Sequence, residues 1–203
     1  QVALNNPVNC TVGATGTFVY TIQDDDGLGW EGPGGVANFN QNKVWLNAYN
    51  AGSLSNGDNV DTWPDVTSNN HDAVQTDPAQ QPLYLENMWN SRPVVQFNSG
   101  FSQFLNIPDD DDINTGGPYD KKTIIVSFRT GSDITSRQVL YEEGGGVRGL
   151  NIYIENDSLY LSGWNDNDDD GLTTPWPYID VDTLISPNTP YYAMLQFNFD
   201  GGS

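Results

Sequence analysis

The sequence predicts an all-β fold, a sandwich or barrel of antiparallel sheets, and three observations carry that expectation. Short blocks of alternating apolar and polar residues recur along the chain, β-branched or aromatic in content and bounded by Gly, Pro, Asn or Asp. No window shows a helical period with caps. The acidic residues are mostly Asp rather than Glu, and Asp favours turns where Glu favours helices, as expected of loops joining short strands.

The blocks fall in order at residues 17–22, 43–48, 94–97, 123–128, 150–154, 159–163 and 192–199. In the first, Phe18, Tyr20 and Ile22 share one face, so that strand packs on a core. Residues 24–35, rich in Asp and Gly, read as a connector, and residues 51–54 as a single short turn. Tyr141, Glu142 and Glu143 end a further strand that runs into the loop Gly144-Gly145-Gly146. The last block stops at Asp200-Gly201-Gly202-Ser203, which leaves a strongly apolar strand in need of a partner. The expectation is a domain lacking its final strands, in a natural chain that continues.

Composition bounds the function. At 203 residues one sizeable domain is expected, and aromatics at 12% supply enough core material to set the acidity apart from that of a disordered chain. Lys and Arg number 7 against 27 Asp and Glu, a net charge of −20, which repels phosphate backbones and anionic lipid. Nucleic acid is therefore an unfavourable partner. No run approaches the roughly 20 apolar residues of a membrane span, so no membrane insertion is expected. A start at Gln1 is compatible with a mature end left by signal removal. Cys10 is the single cysteine, which excludes an internal disulfide and reads as a small buried hydrophobe.

A spaced set of signals between residues 32 and 97 narrows the fold. It opens on Gly32-Pro33-Gly34-Gly35-Val36 and enters Val44-Trp45-Leu46-Asn47-Ala48. It continues through Trp63-Pro64-Asp65, Asn69-Asn70-His71-Asp72-Ala73 and Gln75, then Gln81-Pro82, and ends on Arg92-Pro93-Val94-Val95-Gln96-Phe97. This order and spacing resembles a laminin G-like, concanavalin A-like jelly-roll domain, whose pattern is a Trp-Leu-x-Ala strand, a Trp-x-Asp hairpin and a Pro-Val-Val-x-Phe strand. The resemblance covers about the last four fifths of the chain. It implies a jelly-roll sandwich of two antiparallel sheets over residues 31–203, C-terminally incomplete, with residues 1–30 an N-terminal strand and connector. It also implies that Trp45 and Trp63 lie in the core and that His71 is a surface turn residue. The Gly-Pro-Gly-Gly-Val lead-in resembles large surface proteins of gliding, type 9-secreting bacteria, which implies a secreted or cell-surface adhesin; fold alone names no ligand.

The strongest chemical motif is Asp166-Asn167-Asp168-Asp169-Asp170-Gly171. Alternate carboxylates at Asp166, Asp168 and Asp170 can converge on calcium, and Gly171 permits the tight turn. The twelfth position of an EF-hand is Pro177 instead of an acid, so a helix-loop-helix site is rejected. Two readings stand: a β-loop calcium site completed by ligands from elsewhere, or a solvated acidic hairpin. Around it lie Trp164, Asn165, Trp176 and Tyr178. Exposed aromatic faces stack on the apolar C–H surfaces of sugar rings while Asn and Asp bond hydroxyls, so these four residues are the candidate glycan-binding set. The alternative is that the rings fill the core. The second acidic run, Asp109 to Asp112, reads as exposed and solvated.

Catalysis finds little support. Jelly-roll glucanases hold paired carboxylates on one strand, and none of Glu31, Glu86, Glu142, Glu143 or Glu155 sits in that spacing. The expectation is a non-catalytic adhesion or glycan-recognition module. Its partners would be a surface glycan or polysaccharide, further domains of the same long polypeptide, or a secretion or surface complex. An accessory domain of a carbohydrate-active enzyme and a structural spacer in a surface filament are the rivals.

Overall fold

The structure is a computed structural model that describes residues 2–3, 17–18, 42–115, 121–165 and 176–198. It is all-β, with antiparallel pairing throughout the described strands. The strands are β1 (Val2–Ala3), β2 (Thr17–Phe18), β3 (Thr62–Trp63), β4 (Ala73–Val74), β5 (Leu83–Trp89), β6 (Arg92–Gln96), β7 (Lys121–Arg129), β8 (Gln138–Gly144), β9 (Arg148–Glu155), β10 (Ser158–Asn165), β11 (Trp176–Leu184) and β12 (Pro190–Asn198). Strands β8 to β11 form a four-stranded meander, and β12, the last apolar block, does not lack a partner as expected but pairs along its length with β7. The other pairs are β1 with β2, β3 with β4 and β5 with β6. No helix among the described residues is long and apolar enough to cross a membrane.

Alternation explains how these strands stack. In β9 and β10, Ile152 faces Leu161 and Ile154 faces Leu159, while Asn151 faces Ser162 and Tyr153 faces Tyr160. The first set packs against Ala193 and Leu195 of β12 and against Ile124, Val126 and Phe128 of β7, so the meander and the β7–β12 pair enclose one core. Ile152 is 0% exposed at its centre. A fully buried isoleucine contributes about 1.5–3 kcal/mol by leaving water. Ile179 and Val181 of β11 lie on the same side by register but stay exposed, because the two-stranded layer leaves that edge uncovered.

Two tight hairpins set the registers. Asn156 and Asp157 join β9 to β10 with φ of 50° and 63°, and Asn90 and Ser91 join β5 to β6 with φ of 49° and 62°. Positive φ at both central positions is the two-residue turn whose twist matches that of paired strands. A partly buried ion pair links the layers further along: Lys122 Nζ lies 2.7 and 2.9 Å from the two Glu143 carboxylate oxygens, and Tyr141 donates to Glu143 Oε2 at 2.7 Å. Burial, with Glu143 beside it, pushes the Tyr141 phenol far above its ordinary value.

Several expectations need correction. Residues 43–48 do not form a strand; Leu46 makes one bridge to Asp65, and Ala48–Asn50 is a 3₁₀ turn, ahead of the turn expected at 51–54. The reason is Asp65, whose buried Oδ1 accepts the Trp45 N–H at 2.8 Å and so replaces a ladder partner. The same carboxylate accepts from the Thr67 N–H at 3.0 Å and the His71 N–H at 3.1 Å. His71 is accordingly not a surface residue but is buried at 9% exposure. Trp45 and Trp63 are partly buried. The acidic turn at 109–112 is exposed but anchored: Lys43 Nζ bonds Asp112 Oδ1 at 2.7 Å, and Lys122 Nζ bonds the Ile113 carbonyl at 2.7 Å.

Replacing Ile152 by Ala should cost about 2–5 kcal/mol in urea unfolding through the cavity it leaves. Ile125→Thr, on the exposed side of β7, should stay within about 0.5 kcal/mol.

Candidate functional site

The side of β9–β11 turned away from the core carries polar and aromatic residues in register. Gly149 lies opposite Trp164, Asn151 opposite Ser162 and Tyr153 opposite Tyr160, while Asp180 and Asp182 of β11 lie opposite Ser162 and Tyr160. At the end of this face a shallow concavity of about 300 Å³ is lined by Gly146, Asn151, Trp164 and Tyr178.

Each lining residue is held by its strand neighbours. The Trp164 indole N–H donates to the Gly145 carbonyl at 2.8 Å, which ties the ring to the β8–β9 hairpin. That hairpin is tight because Gly144 takes φ +97° and Gly145 N–H bonds the Arg148 carbonyl at 2.8 Å. Gly149 leaves room for the indole: a Cβ there would collide with the Trp164 ring and with the Glu143 carbonyl. The Trp164 and Tyr178 ring centres are 6.4 Å apart with planes tilted by 31°. Tyr178 is 46% exposed. The Asn151 Oδ1 accepts the Ser162 hydroxyl, which orients the amide.

A second layer supports the first. Tyr153 and Tyr178 hydroxyls are 3.0 Å apart, Tyr153 stacks on Tyr160 at 4.7 Å with planes 5° apart, and the Arg137 guanidinium lies 4.3 Å from the Tyr153 ring centre. Burial and the Tyr178 hydroxyl beside it raise the Tyr153 phenol, which stays neutral at ordinary pH. The result is a preorganised aromatic pair with an oriented amide beside it and Asp180 nearby. Chemically, such a surface can stack a ring against Trp164 and Tyr178 and exchange hydrogen bonds with hydroxyl groups at Asn151.

The sequence-predicted residues separate into three groups. Trp164 and Tyr178 are brought together as expected. Asn165 closes β10 next in line after Trp164, is buried at 6%, and is not among the described residues lining the concavity; Trp176 opens β11 opposite it. Asp166, Asp168 and Asp170 lie outside the described residues. The residues that sequence reasoning missed are Asn151 and Gly149, which reach the site across the ladder. Strand β11 was missed as well, although Tyr178, Asp180 and Asp182 alternate with Ile179, Val181 and Thr183.

Comparisons with protein-family models, curated proteins and solved structures returned no match for this chain.

Gly149→Ala should dislodge the indole from the sheet. The expected signs are a red shift of tryptophan emission and a lowered melting temperature, whereas Gly146→Ala, where nothing lies near a new Cβ, should leave both within error.

Proposed function

We propose that this chain is a non-catalytic glycan-recognition module of a secreted or cell-surface bacterial adhesin, with a saccharide as the ligand of the outer face of β9–β11. The observation that carries the reading is the pairing of Trp164 and Tyr178 across a concavity of about 300 Å³, next to the oriented amide of Asn151. Aromatic rings fixed in advance lose little entropy on binding, and a shallow polar site suits a hydroxyl-rich ring better than an apolar ligand. The net charge of −20 favours neutral or cationic polymers over acidic ones. The motifs between residues 32 and 97 support the laminin G-like jelly-roll assignment and the surface context, including attachment during gliding by type 9-secreting bacteria. Further domains of the same polypeptide, or a secretion or surface complex, are the protein partners this context supplies.

Calcium enters the reading through Asp166, Asp168 and Asp170, which fall in the connection from the Trp164 strand to the Tyr178 strand. A cation held there would stiffen the link between the two aromatic residues and so lower the entropy cost of binding.

On a glycan array the chain should bind a restricted set of saccharides, and Trp164→Ala should weaken the best of them about tenfold, the scale of one aromatic contact. Tyr192→Ala, which removes an exposed aromatic from β12, should leave binding unchanged. An array without hits, or equal losses from both variants, would refute the assignment. Millimolar calcium should raise the melting temperature of the wild type and leave Asp168→Ala unaffected; no rise in the wild type removes calcium from the account.

A further inference from the structure

The chain's single histidine occupies a position that its hydrogen bonds leave chemically incomplete. His71 is nine-tenths buried, with its backbone N–H on Asp65 Oδ2 at 3.1 Å and its Nδ1 2.9 Å from the Lys43 carbonyl. A carbonyl oxygen can only accept, so Nδ1 carries the proton and the ring orientation is set. Nε2 then points at the acidic turn. Its neighbour is Asp110 Oδ1 at 3.4 Å, itself an acceptor and occupied by the Asp112 N–H at 2.8 Å.

That spacing is loose for an ion pair and suits a ligand set. A charge-assisted bond from an imidazolium to a carboxylate closes to about 2.7–2.9 Å, which the observed separation exceeds. Two ligands about 2.1 Å from a tetrahedral metal ion instead lie roughly 3.4 Å from each other. His71, one oxygen of Asp110 and one oxygen of Asp112 all offer ligand atoms within 4.8 Å of one another. Both aspartates are about half exposed, at 47% and 50% for the side chains, so they can close by the remaining ångström without disturbing the core. A histidine whose far nitrogen donates to a backbone carbonyl is oriented as metal-binding imidazoles are.

We propose that His71, Asp110 and Asp112 form a binding site for a zinc-class divalent ion. Imidazole selects against calcium, which takes oxygen ligands, and favours zinc and its neighbours. Three protein ligands leave a position for water, and the ion joins the segment of residues 65–72 to the turn at 109–115. Lys43 Nζ, on Asp112 Oδ1 at 2.7 Å, neutralises one carboxylate in the metal-free protein and competes with the ion. This site is independent of the glycan reading, since it shares no residue with the concavity of Trp164 and Tyr178.

Because the chain has one histidine, proton NMR reports on His71 alone. Zinc chloride titrated into the whole chain at pH 7.5 should shift the imidazole signals in step with a one-to-one calorimetric isotherm. Asp110→Asn and Asp112→Asn, both at exposed positions, should each weaken binding by about tenfold or more. Lys43→Ala, which keeps the carbonyl that orients the ring, should tighten it several-fold, and millimolar calcium should leave the imidazole unmoved. An imidazole that stays still while zinc binds elsewhere would overturn the proposal. So would zinc affinity unchanged in Asp110→Asn, or a calcium shift equal to that of zinc.

Discussion

The pairing of β9 with β10 is the interaction on which the remaining architecture depends. Side chains alternate with a period of two, so the partner chosen by each residue decides its face, and a slip of one residue would carry every side chain through the sheet. In the observed register Ile152 and Leu161 point into the core while Asn151 and Ser162 lie on the opposite face, where both are also buried. The positive φ of Asn156 and Asp157 holds this register from the turn, and the burial of Ile152 and Leu159 holds it from within. The core and the candidate ligand face are therefore two consequences of one ladder.

The buried carboxylate of Asp65 is satisfied by designated partners, whereas the buried Trp63 indole N–H has none. Asp65 is buried yet accepts from Trp45, Thr67 and His71, and in doing so shapes the segment of residues 65–72 without a regular sheet. Lys122 serves both the Glu143 carboxylate and the Ile113 carbonyl, which couples the β7–β8 region to the acidic turn. With so few cations in the chain, two of them meet at the turn of residues 109–115, Lys43 on the Asp112 carboxylate and Lys122 on the Ile113 carbonyl.

Much of the strand pattern was legible in the sequence because alternation is a local signal. The blocks at 123–128, 150–154 and 159–163 extend into β7, β9 and β10 by a few residues at their ends. Strand β5 was hidden because its Glu86-Asn87-Met88 segment breaks the register, with Asn87 at φ 55°. The segment at 43–48 alternates like a strand but is bonded by the Asp65 side chain, a partner 20 residues away that no local pattern displays. Trp164 and Tyr178 were legible as a pair because both flank the same acidic connection. Asn151 was not, since its place beside them follows from its pairing with Ser162, and the burial of His71 follows from contacts with Lys43 and Asp65.

A saccharide on the outer face of β9–β11 is tested by nitrogen-15 NMR titration of the labelled chain with a mixture of oligosaccharides. The Trp164 indole N–H, the Gly145 and Gly146 amides and the Asn151 side-chain amide should shift together while the core amides of Ile152 and Leu195 stay in place. A titration that moves residues of β7 and β12, or that leaves Trp164 silent while other residues respond, would contradict it.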